Sequence, residues 1–109
     1  MEPEHSFRDR RNSSPSLSLI ICTRNRAEAL GRCLDHLSTF DLTAVDGEVI
    51  LVDNGSSDNT PAVMQSFARQ ADSPVEMVEE PTAGLSRARN AGVRRAKGDT
   101  IVFTDDDCY

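Results

Sequence analysis

The sequence predicts an α/β protein with three layers, in which helices cover both faces of a parallel four-stranded sheet. Three observations predict it: four short apolar runs, three amphipathic segments that alternate with them, and short polar connections between successive segments. This alternation is typical of parallel strands joined by right-handed crossovers. The 109 residues are enough for one domain of this kind.

The first strand is predicted at Leu17–Cys22, an apolar run that passes directly into the polar loop Thr23–Arg26. A helix should follow, with Asn25 as its N-cap residue. The apolar positions of this helix recur at helical spacing and form one face: Ala27, Leu30, Leu34 and Leu37. Such a face predicts packing against a sheet.

The second strand is predicted at Glu48–Val52 and is followed by the polar loop Asp53–Asp58. Thr60 is expected to cap the next helix, with Pro61 in its first turn, where the missing N–H of proline costs no hydrogen bond. The apolar side chains of this helix are Val63, Met64, Phe67, Ala68 and Ala71.

The third and fourth strands are predicted at Val75–Glu79 and Thr100–Thr104, and the charge alternation of the third indicates an edge strand. Between them a third helix is expected, closed by Gly98 as its C-cap. Its apolar face is small and consists of Leu85, Ala88, Ala91 and Ala96. The complete pattern is that of a Rossmann-like three-layer fold.

Composition restricts the classes of function. Residues 1–15 are rich in proline, serine and charge, which predicts a disordered tail ahead of a domain at residues 16–109. The net charge of −6 argues against a protein that binds nucleic acid by neutralising phosphates.

No run approaches the length of about 20 apolar residues that a membrane span requires, and the N-terminus is too polar for a secretory signal. We therefore expect a cytoplasmic protein. Cys22, Cys33 and Cys108 are odd in number and widely spaced, so they are expected to be free thiols in a reducing compartment.

Three loops that are rich in polar and charged side chains follow predicted strands: Thr23–Arg26, Asp53–Asp58 and Asp105–Asp107. In parallel sheets, ligands bind outside the carboxyl ends of the strands. Side-chain alternation would place Asp105 and Asp107 on one side, with Asp106 pointing away, and such a pair suits a hard divalent cation. An isolated acidic triplet is more often a solvated turn, but three loops that converge at one edge favour a site.

Two phosphate-binding motifs are missing from the sequence, which limits how the site could hold a phosphate. Neither Gly-x-Gly-x-x-Gly nor Gly-x-x-x-x-Gly-Lys-Ser/Thr occurs, so no glycine-rich cradle is available for phosphates. A diphosphate could instead be held by a cation on carboxylates, helped by Arg87 and Arg89, although these arginines could also form an exposed helix face. The loop Asp53–Asp58 could be read as a calcium-binding loop, but it lacks the regular carboxylate spacing of an EF-hand. A phosphoacceptor receiver domain would need an acidic pair after the first strand, where this chain has Thr23, Arg24 and Asn25.

Four segments, which together cover roughly residues 17–108, resemble the nucleotide-binding half of a family 2 glycosyltransferase with the GT-A fold. They are Leu19–Arg26, Val49–Asp58, Gly84–Gly92 and Ala96–Asp107. The resemblance implies that Thr23 and Asp53 contact the nucleoside, Asp53 by accepting a hydrogen bond from the base, usually uracil. Asp58 would order its loop or cap a helix.

The resemblance also implies the remaining site residues. Arg89 and Asn90 would lie near the nucleotide, Asp105 toward the ribose and sugar, and Asp107 would hold Mg²⁺ or Mn²⁺ on the diphosphate. The expected nucleotide-binding set is Thr23, Arg24, Asn25, Asp53, Arg89, Asn90, Asp105 and Asp106. The expected metal ligands are Asp107 and Asp105.

The implied reaction is the transfer of a sugar from a nucleotide diphosphate sugar, expected to be UDP-linked, to an acceptor hydroxyl. It would proceed with inversion and with the help of a metal ion. Many enzymes that this chain resembles also carry a Gln-x-x-Arg-Trp motif in a later part of their sequence. This chain contains no Trp, so it lacks that motif, and it ends at Tyr109. We therefore expect the donor site of an enzyme truncated after its acidic motif, with no general base and hence no catalytic residue of its own.

Such a chain should be inactive alone, and Thr100–Thr104 should form an exposed apolar edge strand. Any membrane association would come from a missing C-terminal region. The alternative function is a non-catalytic nucleotide-binding or interaction module.

Overall fold

The computed structural model describes residues 15–106, so nearly all of the predicted tail (residues 1–14), Asp107 and Cys108 lie outside the described residues. Its elements alternate along the chain as the sequence predicts, with one additional 3-10 helix at Leu42–Val45. In order they are β1 (Leu17–Thr23), α1 (Ala27–Leu37), β2 (Gly47–Asp53), α2 (Thr60–Gln70), β3 (Val75–Glu79), α3 (Leu85–Arg95) and β4 (Thr100–Thr104).

The four strands form one parallel sheet in the order β3-β2-β1-β4, which confirms the predicted fold class. The register places Leu19 beside Val49 and Ile20 beside Phe103. Every residue of β2 is buried, as expected for an inner strand covered on both faces. Because all strands run the same way, their carboxyl ends meet at one edge of the sheet.

The two faces of the sheet are covered by different helices, which gives the three layers. The face that carries Leu19 and Leu51 is covered by α1 and α2, through residues such as Leu34 and Met64. The opposite face is covered by α3, whose buried hydrophobic side chains are those of Ala88 and Ala91. These small side chains let α3 approach the sheet closely.

β4 is an edge strand among the described elements, and its apolar side chains are partly open to solvent. Ile101, Val102 and Phe103 are 38%, 39% and 43% exposed. The expected exposed apolar edge is therefore confirmed. No helix within residues 15–106 combines the length and apolar character needed to cross a membrane.

Three predicted helix caps are wrong. Thr60 is the first residue of α2, and Asn59 before it holds the N-cap position, although Pro61 lies in the first turn as predicted. α1 begins at Ala27 with Arg26 in the N-cap position, while Asn25 has a left-handed backbone (φ 52°) and bonds to a neighbouring loop. α3 ends at Arg95, three residues before Gly98. A Cβ at Gly98 would lie 2.6 Å from the Ser18 backbone nitrogen, so this glycine permits close approach to β1 rather than a left-handed turn.

A buried carboxylate holds the α3–β4 connection against the amino end of the sheet. Glu48 accepts hydrogen bonds from the Ser18 hydroxyl (2.6 Å) and the Lys97 backbone N–H (2.7 Å). The Ser18 oxygen in turn accepts the Gly98 N–H (2.8 Å). A buried charge is tolerated when such partners satisfy it, and here they fix where β4 begins.

The cysteines do not all match the prediction of free thiols. Cys22 is free, but Cys33 is disulfide-bonded, so the expectation is wrong for that residue. Disulfide formation depends on proximity in space, which spacing along the chain did not reveal. The Cys33 sulfur also lies 3.6 Å from the carbonyl oxygen of Asp105, which brings α1 into contact with the chain after β4.

Candidate functional site

A cavity of about 420 Å³ lies where β1 and β4 end and α3 begins. It is lined by Cys22, Thr23, Arg24, Arg26, Asn54, Leu85, Ala88, Asp105 and Asp106. Four of the sequence-predicted site residues are thus brought together: Thr23, Arg24, Asp105 and Asp106. The cavity combines two carboxylates, two guanidinium groups and the N-terminus of a helix.

A larger cavity, of about 470 Å³, lies at the amino end of the sheet between the ends of α1 and α2. Its lining includes Phe40, Asp41 and Asp72, and no Lys, Arg or His is among the described residues that form it. It therefore offers nothing to neutralise a phosphate. The smaller cavity at the carboxyl edge is the better candidate for the predicted chemistry.

The carboxylate of Asp106 is held in place at this cavity. Asp106 is 9% exposed, accepts a hydrogen bond from the Thr23 hydroxyl (3.0 Å), and lies 3.6 Å from the Arg26 guanidinium. Alternation along a strand predicted that Asp106 points away from Asp105, yet both line the cavity. The reason is that β4 ends at Thr104, so strand periodicity does not extend to the acidic residues.

Asn54 joins the cavity to the loop before α3. Its amide nitrogen donates to the carbonyl oxygens of Glu80 (2.9 Å) and Thr82 (2.8 Å), and its oxygen accepts the Gly84 N–H (3.0 Å). Asn54 is 6% exposed, so these bonds replace the hydration it would lose. They fix the point at which α3 starts.

Asp53 and Asn25 lie beside the cavity but do not line it. Asp53 is 6% exposed, accepts the Ser56 N–H (3.0 Å), and lines a separate cavity of about 220 Å³ next to β3. Asn25 accepts the Ser57 N–H through its side-chain oxygen (2.7 Å) and donates its own N–H to Ser56 (2.9 Å). Contact of either residue with a nucleotide stays a prediction.

Asp58 orders the loop between β2 and α2, as expected. It accepts bonds from the backbone N–H (2.9 Å) and hydroxyl (2.6 Å) of Thr60 and from the Ala27 N–H (3.4 Å). The hydroxyl bond is the main reason that the pKa of Asp58 is lowered. The carboxylate therefore satisfies N–H groups at the starts of two helices, α1 and α2.

Arg89 and Asn90 are exposed on α3 and are not among the residues that line the cavity. The Arg89 guanidinium lies 5.5 Å from the centre of the Phe103 ring, a cation–π contact that ties α3 to the edge strand. The geometry supports a packing role for Arg89. Its predicted place near a nucleotide stays a prediction.

The donor set of the cavity fits a divalent cation chemically, because carboxylate oxygens are the ligands that Mg²⁺ and Mn²⁺ prefer. Asp105 is exposed at the cavity, whereas Asp106 is engaged by Thr23 and Arg26. Within residues 15–106, no three His, Cys, Asp or Glu side chains are grouped to hold a metal. Asp107, the other predicted ligand, lies outside that range.

Arg26, Asn54 and Cys22 line the cavity but were not predicted as site residues. Arg26 and Asn54 stand inside the segments that carry the family resemblance, so the signal was present in their positions directly after β1 and β2. Cys22 belongs to the apolar run predicted as the first strand, and that run carried no sign that one of its residues faces a cavity.

Cys22 should react slowly with alkylating reagents. Burial raises its pKa to about 11, Asp106 adds to the rise and Arg89 opposes it. Because the ordinary value is 9.0, the thiolate fraction at pH 8 should be about 100-fold lower than that of an unperturbed thiol. Iodoacetamide labelling followed by peptide mass spectrometry should show a Cys22 rate that still rises above pH 10. A plateau below pH 9 would contradict this.

Comparison with known proteins identifies the family. The model of the family described as "Glycosyl transferase family 2" matches residues 18–109. Glycosyltransferase AglE from Haloferax volcanii is 33% identical over 94 residues, which are 86% of this chain and 31% of that protein.

Two solved structures share the fold of this chain. Mannosyltransferase PcManGT from Pyrobaculum calidifontis, in complex with GDP-Man and Mn²⁺, superposes with a TM-score of 0.77 at 28% identity, over 95% of this chain and 34% of the other. S. aureus TarS 1-349 in complex with UDP-GlcNAc gives 0.71 at 24% identity, over 84% and 26%. The chain thus spans about a third or less of these proteins. It belongs to glycosyltransferase family 2, with the α/β architecture of GT-A enzymes.

Proposed function

We propose that this chain forms the donor-binding part of an enzyme that transfers a sugar from a nucleotide diphosphate sugar to an acceptor hydroxyl with inversion. The observation that carries the proposal is the cavity at the carboxyl edge of the sheet, where Arg24, Arg26, Asp105 and the start of α3 meet. This combination offers positive charge and helix N–H groups to phosphates, and carboxylate oxygens to a cation.

The nucleoside is assigned to the ends of β1 and β2. Thr23 lines the cavity, and Asp53 would accept a hydrogen bond from the base at the neighbouring strand end. Leu85 and Ala88 give the cavity an apolar wall on α3. A UDP-linked donor is proposed from the family resemblance, while the similar mannosyltransferase is described with GDP-Man, so the base is a matter for experiment.

A divalent cation, Mg²⁺ or Mn²⁺, is proposed as the cofactor, with Asp105 and Asp107 as its ligands. When bound, it offsets the repulsion between carboxylates and phosphates and stabilises the departing nucleoside diphosphate. The exposed carboxylate of Asp105 at the cavity supports this assignment. So does the Mn²⁺ in the complex of the similar mannosyltransferase.

The reaction also needs a group that accepts the proton of the attacking hydroxyl. Among the described residues, the carboxylates that line the cavity are Asp105 and Asp106, one proposed for the cation and one already engaged by Arg26. We therefore expect the 109-residue chain alone to bind donor without measurable transfer. The acceptor is left unassigned.

Calorimetric titration of the chain with UDP, with and without Mn²⁺, tests the donor site. Binding should require the cation, and Asp105→Asn should weaken it about tenfold or more, because the variant loses a charged ligand. Bound nucleotide should also protect Cys22 from alkylation, since Cys22 lines the same cavity. GDP titrated in parallel reports the base preference.

Asp35→Asn is the matched control for Asp105→Asn. Asp35 is an exposed aspartate of α1 that does not line this cavity, so the variant should bind as the wild type does. Metal-independent binding, or equal affinity of Asp105→Asn and the wild type, would overturn the site assignment. Tight binding by a longer form of the protein that transfers no sugar would favour the alternative, a non-catalytic nucleotide-binding module.

A further inference from the structure

Three aspartates follow β4 in the sequence, and in the structure the middle one, Asp106, is paired with the guanidinium group of Arg26. We propose that Arg26 and Thr23 position Asp106 so that it anchors the chain after β4 beside the cavity and leaves the carboxylate of Asp105 available to the cation. Arg26 is then a positioning residue for the donor site. The inference rests on the proposed donor-binding function and deepens it.

The burial and the partners of the Asp106 side chain support this role. The Asp106 side chain is 12% exposed, and the Arg26 side chain paired with it is 55% exposed. A carboxylate with so little access to water needs both a hydrogen-bond donor and a counter-charge. The Thr23 hydroxyl supplies the first at 3.0 Å and Arg26 the second at 3.6 Å.

Asp105 differs from its neighbour in both respects. It is exposed at the cavity, and within residues 15–106 its carboxylate has no side-chain hydrogen bond or ion pair. A carboxylate in this state can accept a cation without breaking an existing contact. Asp106 would first have to give up Arg26, so the two side chains are not equivalent as ligands.

Both partners of Asp106 are themselves held by other elements. Thr23 is the last residue of β1, and the Arg26 backbone N–H donates to the Thr60 hydroxyl at the start of α2 (3.2 Å). The pairing of β1 with β4 ends at Ile21 and Thr104. Asp106 therefore ties the chain beyond β4 back to β1 and α1 through its side chain, in addition to the contact between Cys33 and the Asp105 carbonyl oxygen.

A double-mutant cycle on Arg26 and Asp106 tests the proposal. Nucleotide affinity is measured by calorimetry with UDP at saturating Mn²⁺, and cation affinity by electron paramagnetic resonance with Mn²⁺ alone. Arg26→Gln should raise the UDP Kd about tenfold, because the Asp106 carboxylate loses its counter-charge and the turn shifts. The double variant Arg26→Gln/Asp106→Asn should bind no more weakly than Asp106→Asn alone, because an amide needs no counter-charge.

Two further arginines serve as controls. Arg69→Gln, at an exposed position in the last turn of α2, should leave both affinities unchanged. Arg24 lines the cavity without an ion pair to Asp106 among the described residues, so Arg24→Gln and Asp106→Asn should have additive effects. Urea unfolding of every variant separates lost affinity from lost stability.

The outcomes distinguish this inference from the function on which it rests. Wild-type protein that binds neither UDP nor Mn²⁺ would overturn the donor site and the inference together. Wild-type binding with an unaffected Arg26→Gln, or with additive effects of Arg26→Gln and Asp106→Asn, would overturn the inference alone.

Discussion

Gly92→Ala should destabilise the protein by about 1–3 kcal/mol, because it adds a methyl group where α3 touches the sheet. The added Cβ would lie 2.7 Å from a methyl carbon of Ile20 and 3.2 Å from one of Val52. Both side chains are fully buried and surrounded by packed neighbours. The helix must therefore move away from the sheet or the two side chains must change rotamer.

Gly31→Ala is the matched control, since Gly31 also lies within a helix, α1. Its added Cβ would meet only a Val63 methyl at 3.9 Å, an ordinary contact distance. Alanine is the better helix former, so this variant should gain about 0.5–1 kcal/mol. Urea unfolding midpoints of the two variants should shift in opposite directions. Equal shifts would show that helix propensity, and not the contact with Ile20, decides the result.

The strands and helices could be predicted from sequence because each depends on local chemistry. β1 and β2 are apolar runs bounded by polar loops, and α1 has its apolar side chains at helical spacing. The residues that cap the helices were harder to predict. Asn25 looks like an N-cap by residue type, but its side chain bonds to Ser57, a partner that only the tertiary fold brings near.

Part of the candidate site could also be predicted, because parallel strands present their carboxyl ends at one edge. That rule placed Thr23 and Asp105 in one cavity. It did not reveal that Arg26 supplies a second guanidinium group beside the predicted Arg24, whereas Arg89 lies over the Phe103 ring. The direction of a long side chain depends on its packing partners and not on its spacing along the chain.

Asn54→Asp should have a large effect on both stability and nucleotide binding, although it exchanges only NH₂ for oxygen. The amide nitrogen donates to the carbonyl oxygens of Glu80 and Thr82, so a carboxylate would place oxygen against oxygen at 2.8–2.9 Å. Two acceptors would be left unpaired beside a buried charge, which should cost about 3 kcal/mol or more. The loop that starts α3 should then be released.

Release of this loop would move Leu85 and the first N–H groups of α3, which form one side of the proposed donor site. We therefore expect the UDP Kd of Asn54→Asp in Mn²⁺ to rise about tenfold or more at pH 7. Its deficit in unfolding free energy should shrink as the pH falls. The oxygen contacts and burial raise the folded-state pKa of the new carboxyl, and its protonated form can donate one of the lost bonds.

Asn59→Asp makes the same chemical change without the same partners. Asn59 is the exposed N-cap residue of α2 and makes no side-chain capping bond, and a carboxylate is favourable at a helix N-terminus. This variant should match the wild type within about 0.5 kcal/mol and bind UDP normally. If Asn54→Asp behaves like Asn59→Asp, the three hydrogen bonds of Asn54 do not hold the start of α3. A stable Asn54→Asp that has lost nucleotide affinity would instead assign Asn54 a direct role in binding.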